Sequence, residues 1–391
     1  MPEADKKIGC VLFEYQKNRR YFAQVAGGIE ALAARELTAL GASSAEIGYR
    51  GVHFNADPAV LYHINYNARL VSRILAPLVS FRCRDREDLY RAGRSVDWGV
   101  FFPLEETFGI FANVSGNERL RHSRFAALCL KDAVADGFRS RTGKRPNVDP
   151  LNPGVWLNLF VEGEKGIISL DTSGGSLHRR GYRRETVEAP MRETLAAAMA
   201  ALSEWRGERP LHDPMCGSGT LLCEAMMAIC RIPSGFLRPR FGFQYLPDFK
   251  ASLWNRVKRA ADDGMIPLKE GLVSGGDNDK SAVRAARINC SLLPGGDRIR
   301  VHHRDYNDLS SLENRTILCN PPYGIRMKPE ADLGLFFKAF GDFLKQRCKG
   351  STALIYFGNR EMIKKIGLKP TWKKPMRNAG LDGRAARYDL Y

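Results

Sequence analysis

From residue 21 to residue 171 the spacing of apolar positions changes repeatedly, and each change predicts an element. Alternation over residues 21–26 predicts a strand, and Ala31, Leu32, Leu37 and Leu40 at helical spacing predict a helix over 29–40 that Gly41 stops. Two short strands around Gly51, a helix opening after Asp57-Pro58 and a strand over 73–79 complete a small α+β unit, with a strand-like run at 8–15 before it. A second unit reads as a helix over 86–96, a strand over 107–114, a helix over 123–138, and strands over 155–161 and 166–171. The turn Glu162-Gly163-Glu164-Lys165-Gly166 makes the last two a hairpin.

A Gly- and Arg-rich stretch at 173–188 interrupts this pattern and marks a boundary. Beyond it strands and helices alternate: helix 191–205, a strand ending at Asp213, helix 220–230, a strand ending at Asp277, helix 281–290, strands 299–303 and 316–319, helix 335–346 and strand 353–357. Alternation of that kind predicts an α/β unit with a mainly parallel sheet covered by helices on both faces. Residues 371–391 offer two strand-like pieces with no helix between them, which predicts a terminal antiparallel hairpin. The expected units are 1–80, 81–172, a linker at 173–190, and 191–391; at roughly 150 residues per domain, 391 residues is long enough for them.

Composition narrows the class. With 44% hydrophobic and 26% charged residues the chain reads as globular, and nothing approaches the roughly 18 consecutive apolar residues of a membrane span. The polar start lacks a secretory apolar core, so a cytoplasmic protein is expected. Nine cysteines without a Cys-x-x-Cys pair, and no His spaced to complete a site, indicate neither a disulfide framework nor a metal. Cys216, Cys223 and Cys230 recur every seven residues, a core-packing pattern on one helix face.

Sixty Lys plus Arg against 43 Asp plus Glu give a net charge of +17, which favours a polyanionic partner, a nucleic acid foremost. An anionic membrane would satisfy the charge equally, but no basic amphipathic helix of the interfacial type is present. Candidate phosphate contacts are Arg121, Arg124, Arg139, Arg141, Lys144 and Arg145, and the connector residues Arg179, Arg180 and Arg183. The stretch 139–145 holds no acid, so its field is expected to stand uncancelled.

The chemistry is expected at four predicted strand ends. Asp213-Pro214-Met215-Cys216-Gly217-Ser218-Gly219-Thr220 joins a strand to a helix, the place where open α/β sheets bind ligands. Gly217 and Gly219 let backbone pass close beneath a ligand, and N–H groups at a helix start can hold a carboxylate. A phosphate loop lacks its Lys here, and Leu222 stands where a dinucleotide fingerprint needs a third Gly. Asp213, four residues before Gly217, fits a ligand carrying ammonium and carboxylate together, as in the methionine end of S-adenosylmethionine. Asp277, followed by Asn278, can accept from ribose hydroxyls, while Asp279 is equally the cap of the next helix. Asp305, followed by Tyr306, can accept from an adenine amino group.

Asn320-Pro321-Pro322-Tyr323 ends the fourth strand. A base amino group is a weak nucleophile because its lone pair is delocalised, so acceptors placed on its hydrogens help. Asn320 offers a side-chain carbonyl, the prolines leave the Pro321 carbonyl free of a competing neighbour N–H, and Tyr323 offers a ring on which a flipped base stacks.

Asp213 to Thr220 together with Asn320 to Tyr323 resemble amino-group methyltransferases acting on adenine N6 or guanine N2. Leu177-His178-Arg179-Arg180-Gly181-Tyr182-Arg183, joined to Ala189-Pro190-Met191, resembles the junction of a THUMP domain with such a catalytic domain. The whole is similar to bacterial large-subunit ribosomal RNA guanine-N2 methyltransferases. That resemblance implies a ferredoxin-like subdomain, an RNA-gripping THUMP domain and a Rossmann-like class I methyltransferase domain with an antiparallel C-terminal strand. It implies that Asp213, Met215, Cys216, Gly217 and Gly219 line the methionine end of S-adenosylmethionine, Asp277 and Asn278 the ribose, Asp305 and Tyr306 the adenine, and Asn320 to Tyr323 the target base. Rival readings are an N6-adenine methyltransferase on DNA or RNA, a non-catalytic RNA-binding protein and, less in keeping with the charge, a protein glutamine methyltransferase. The oligomeric state is open.

Overall fold

The computed structural model describes residues 12–187, 191–322, 330–377 and 382–391. Its front half is α1 (Glu14–Asn18), β1 (Arg20–Val25), α2 (Glu30–Ala39), β2 (Ser43–Gly48), β3 (Gly51–Asn55), α3 (Pro58–Asn67), β4 (Val71–Arg82), α4 (Arg86–Ser95), β5 (Phe108–Ser115), α5 (Ser123–Thr142), β6 (Val155–Glu162) and β7 (Lys165–Asp171). Local signals set many of these ends: Asp57 and Asp85 accept backbone N–H groups at the starts of α3 and α4, and Gly143 in a left-handed conformation closes α5. One expectation fails. Glu14 and Tyr15 begin a helix rather than ending a strand, because the Gln16 side chain accepts from the Phe13 N–H at 3.0 Å and starts a helical turn.

The front strands form one seven-stranded sheet in the order β2-β3-β1-β4-β7-β6-β5. β4 pairs with β1 on one side and with β7 on the other, so a single strand carries the chain from the first unit into the second.

The second half is α6 (Glu193–Leu202), β8 (Leu211–Asp213), α7 (Thr220–Ile229), α8 (Ala251–Asp263), β9 (Val273–Asp277), α9 (Lys280–Ser291), β10 (Arg300–His303), β11 (Thr316–Cys319), α10 (Glu330–Arg347), β12 (Thr352–Phe357), α11 (Met362–Lys365), β13 (Trp372–Pro375) and β14 (Arg384–Asp389). Its sheet has the order β10-β9-β8-β11-β12-β14-β13, parallel through β12, with β14 reversed between β12 and β13, so that β13 and β14 form the antiparallel hairpin that the missing helix between them predicts.

The joint between the halves is apolar and aromatic. α8, which was not among the expected elements, buries Trp254 against Tyr66 of α3 and Phe243, with ring centroids 5.3 and 5.1 Å apart, and Tyr62 stacks on Phe243 at 4.6 Å. One continuous core therefore runs from the front sheet through this joint into the second sheet, and a separate core fills the space under α10. The connector is fastened as well: the Arg238 guanidinium donates to the carbonyls of Ser173 at 2.8 Å and of Ser176 and Arg179 at 3.1 Å.

Candidate active site

Parallel pairing aligns the strand ends. Asp213 lies opposite Gly275, Asp277 opposite His303 and Ile317 opposite His212, so the loops after β8, β9, β10 and β11 emerge together from one sheet edge. Gly217 and Gly219 both have left-handed backbone, φ 52 and 81, which lets the loop turn into α7. The two glycines differ in their surroundings. A Cβ at Gly219 would stand 3.1 Å from Ala286 Cβ, whereas at Gly217 it would meet only Val187, at 3.7 Å. Gly219 thus permits packing of the loop on α9, and Gly217 leaves room above it.

Asp213 is 1% exposed, and its carboxylate accepts from the Met215 N–H at 3.1 Å. Burial, reinforced by repulsion from Asp277, pushes its pKa well above the usual carboxylate range. Among the described residues no basic side chain pairs with it. A buried carboxyl in that position favours an incoming cation of ammonium size.

Asp277 accepts from the Gly217 N–H at 2.8 Å and from the Asp279 N–H at 3.0 Å. The Gly217 N–H, offered by the sequence to a ligand carboxylate, is therefore spent on Asp277; each carboxylate oxygen keeps a further lone pair. Asp279 caps α9 by accepting from the Ser281 N–H at 2.8 Å. Asn278, which is exposed, donates to Asp305 at 3.4 Å and links the second loop to the third. Asp305 itself accepts from the Asn307 N–H at 2.9 Å. Met215 is half-buried against the core under α10, and Cys216 is buried.

Tyr306 departs from expectation. Its ring sits in a phenylalanine cluster, 5.2 Å from Phe340 and 5.3 Å from Phe343 edge-on, so it supports the loop from inside the core instead of offering a ring to a ligand. Asn320 is half-buried at the end of β11, between the ends of β8 and β12, followed by buried Pro321 and exposed Pro322. The preceding Cys319 is fully buried, and burial, with the nearby carboxyls of Asp213 and Asp277, drives its thiol pKa up. Tyr323 lies outside the described residues.

The arginines divide. Arg121, Arg124, Arg139, Lys144 and Arg179 are exposed. Arg141 and Arg145 are also exposed, but Arg141 pairs with Asp97 and Arg145 with Asp136 at 2.7 Å, so the field of 139–145 is partly cancelled by one acid distant in sequence and one just before the stretch. Arg180 corrects the sequence reading, and Arg183 is engaged by an acid of its own chain. Arg180 is 1% exposed, meets both carboxylate oxygens of Glu224 at 3.2 and 3.3 Å, and donates to the carbonyls of Arg69 and Leu177. Arg183 pairs with Glu193 at 2.9 Å and donates to the Met191 carbonyl. Burial takes Arg180 out of reach of a phosphate, whereas Arg183 is half-buried and engaged by Glu193.

Sequence reasoning also missed Asn289. It is fully buried on α9, accepts from the N–H groups of Arg184 and Glu185, and donates to the Ser218 carbonyl at 3.0 Å. One amide thus ties the connector to the glycine loop, and an isolated Asn inside a helical pattern carries no signal of that role.

A seven-stranded, mostly parallel sheet with one antiparallel strand, β14, next to its β13 edge, and ligand-type loops gathered at its carboxyl edge, defines a Rossmann-like class I methyltransferase. The family comparisons agree. The RMKL-like methyltransferase domain matches residues 180–387, the RlmL ferredoxin-like domain 20–75 and the THUMP domain 83–171. This chain belongs to the RMKL-like methyltransferase family, and its methyl donor is S-adenosylmethionine.

It is 40% identical over 375 residues to a Synechocystis protein named "Putative RNA methyltransferase slr0064", covering 95% of this chain and 97% of that one. It is 35% identical over 372 residues to the ribosomal RNA large subunit methyltransferase K/L of Aliivibrio salmonicida, covering 93% of this chain but 52% of that relative; the chain spans about half of that enzyme. Among solved structures, SMU.472, described as "a putative methyltransferase complexed with SAH", superposes with a TM-score of 0.83 at 26% identity, covering 95% of this chain and 98% of that one. Among the described residues no helix is long and apolar enough to cross a membrane, and no cluster of three or more His, Cys, Asp or Glu could hold a metal ion.

Proposed function

We propose that this chain methylates the exocyclic amino group of a base in RNA, guanine N2 in large-subunit ribosomal RNA, in the cytoplasm. The observation that carries the reading is the buried, cation-lacking Asp213 on the strand beside the one that ends in Asn320. The names of the relatives and the THUMP match support RNA as the polymer. The eight described cysteines are all free and buried, which suits a reducing compartment.

S-adenosylmethionine supplies an electrophilic methyl group on a sulfonium. Asp213 holds the ammonium of the methionine end, the backbone of Met215, Cys216, Gly217 and Gly219 shapes that end of the site, Asp277 and Asn278 receive the ribose, and Asp305 accepts from the adenine amino group. The Asn320 side-chain carbonyl and the Pro321 carbonyl accept from the hydrogens of the target amine, which localises its lone pair and aims it along the transfer axis. Pro322 limits the backbone freedom of that turn, and Tyr323 supplies the stacking ring. The exposed Arg121, Arg124, Arg139, Lys144 and Arg179 meet phosphates, with Arg141 and Arg145 contributing less because of their acid partners.

Asn320→Ala tests this. With hypomethylated ribosomal RNA and labelled cofactor, turnover is expected to fall by roughly 100-fold or more, while calorimetric affinity for S-adenosylhomocysteine changes little. Parallel losses of affinity and turnover would refute the role given to Asn320. Digestion of the product to nucleosides reports N2-methylguanine if the base assignment is right, and N6-methyladenine if it is wrong.

A further inference from the structure

The hairpin between β2 and β3 turns through two residues, Tyr49 and Arg50, between Gly48 and its partner Gly51. Tyr49 is 85% exposed, an unusual state for a ring that normally covers most of its surface. Arg50 holds a left-handed backbone at φ 51, a position where hairpins ordinarily carry Gly or Asn. The turn therefore accepts local strain and gives up apolar burial while presenting a ring and a guanidinium side by side, the pair of groups that grips a single-stranded nucleotide.

Its location gives this meaning. The Arg50 carbonyl accepts from the Val25 N–H at 3.0 Å, which puts the turn at the end of β1, next to Gly27 and Gly28. Gly28 packs so tightly on the catalytic domain that a Cβ there would stand 2.4 Å from the Pro375 carbonyl oxygen, and the Arg377 N–H donates to the Gly27 carbonyl at 3.4 Å. Pro375 pairs with Arg384, which pairs with Phe357, so this contact lies at the same sheet edge as Asn320. β11 and β13 are three strand positions apart, roughly 14 Å.

Around the turn, Arg50, Lys373, Lys374 and Arg377 are exposed, and among the described residues none of them forms an ion pair. Two acids lie nearby: Glu30 accepts from the Gly28 N–H, and Asp382 is already shared between Arg360 and Arg384. This patch keeps its charge, in contrast to much of the α4–α5 face.

We infer that Tyr49, Arg50 and Arg377 form a second RNA-contact surface at the active-site edge, which holds the single-stranded segment flanking the target base by stacking on Tyr49 and pairing phosphates with the two arginines. The inference rests on the RNA-methyltransferase reading above. It assigns a substrate contact to the ferredoxin-like domain.

The test compares the full-length wild type with Tyr49→Ala, Tyr49→Phe and Arg50→Glu, measuring RNA affinity by fluorescence anisotropy, methyl transfer to the same RNA, and sedimentation. Tyr49→Ala is expected to weaken RNA binding and raise KM roughly tenfold with S-adenosylhomocysteine affinity unchanged, and Tyr49→Phe to retain binding because it retains the ring. Arg50→Glu is expected to weaken binding and flatten its salt dependence. Wild-type affinity in both Tyr49→Ala and Arg50→Glu would overturn the surface. So would a shift in oligomeric state with RNA affinity intact, since it would make Tyr49 and its exposed neighbour Ile47 on edge strand β2 a contact between copies of the chain. If wild type binds this RNA without methylating it, the functional reading fails while the anisotropy series still decides the surface.

Discussion

Arg180→Met separates a structural from an RNA-binding role for the connector more cleanly than any other substitution. Arg180 and Glu224 have side chains 1% and 0% exposed, and Glu224 also accepts from the Tyr182 hydroxyl at 3.0 Å. Removing the guanidinium strands a buried carboxylate, a loss of about 3–5 kcal/mol, and leaves the carbonyls of Arg69 and Leu177 without this donor. Over a unit of 150–250 residues that loss lowers the melting temperature by roughly 6–20 °C. Thermal and urea denaturation, followed by intrinsic fluorescence, read the loss directly. The double variant Arg180→Met/Glu224→Gln is expected to recover most of it, because a neutral amide still accepts from Tyr182 and no charge is stranded. A melting temperature within a degree or two of wild type, together with RNA affinity lowered several-fold, would refute the reasoning and return Arg180 to the phosphate contacts.

Two further predictions concern charge. The raised pKa of Asp213 means that the ligand-free carboxyl holds its proton to unusually high pH, whereas an ammonium partner requires the carboxylate. Affinity for S-adenosylhomocysteine is therefore expected to rise with pH up to that pKa and then level, with proton release on binding seen as a buffer-dependent calorimetric enthalpy; a flat profile from pH 5 to 9 would sink the assignment. Asp213→Asn is expected to weaken binding about 10- to 150-fold. On the α5 side, charge reversal at exposed Arg121, Arg124, Arg139 or Lys144 is expected to reduce the slope of log affinity against log salt by about 0.7–0.9 each, and at Arg141 or Arg145 by less; equal effects at all six would show that the ion pairs to Asp97 and Asp136 do not shield them.

Period and turn chemistry made the strand and helix order legible because those signals are local. Asp57-Pro58 caps α3 and the missing helix after residue 371 announces the antiparallel edge, whereas α5 runs past the expected 138 to Thr142, where Gly143 ends it. The glycine loop, Asp277 and Asn320 were legible for a related reason: each stands where a strand ends, and parallel pairing then sets them side by side. α8 was missed although Leu253, Trp254, Val257 and Ala261 keep a helical period; what the pattern could not show is the joint it packs on, whose far wall, Tyr62 and Tyr66, lies on α3.

Charge was read least well, and the reason is general. A sequence shows where a charge is but not what neutralises it. Glu224 is 44 residues from Arg180, and Asp97 is 44 from Arg141, so both arginines looked unaccompanied. At Arg180 the consequence is architectural. Arg180 also reaches the Arg69 carbonyl, while Arg69 donates to the carbonyls of Met227 and Ile232 at the far end of α7, the helix that begins at the glycine loop. Asn289 holds the next stretch of the connector to Ser218 in that same loop. A connector held at both points cannot act as a flexible tether, so the front sheet and the catalytic edge keep a set separation. On the function proposed above, the base that reaches Asn320 is selected by its distance along the RNA from the segment gripped in front, and a loosened connector is expected to spread modification over neighbouring bases before it abolishes catalysis.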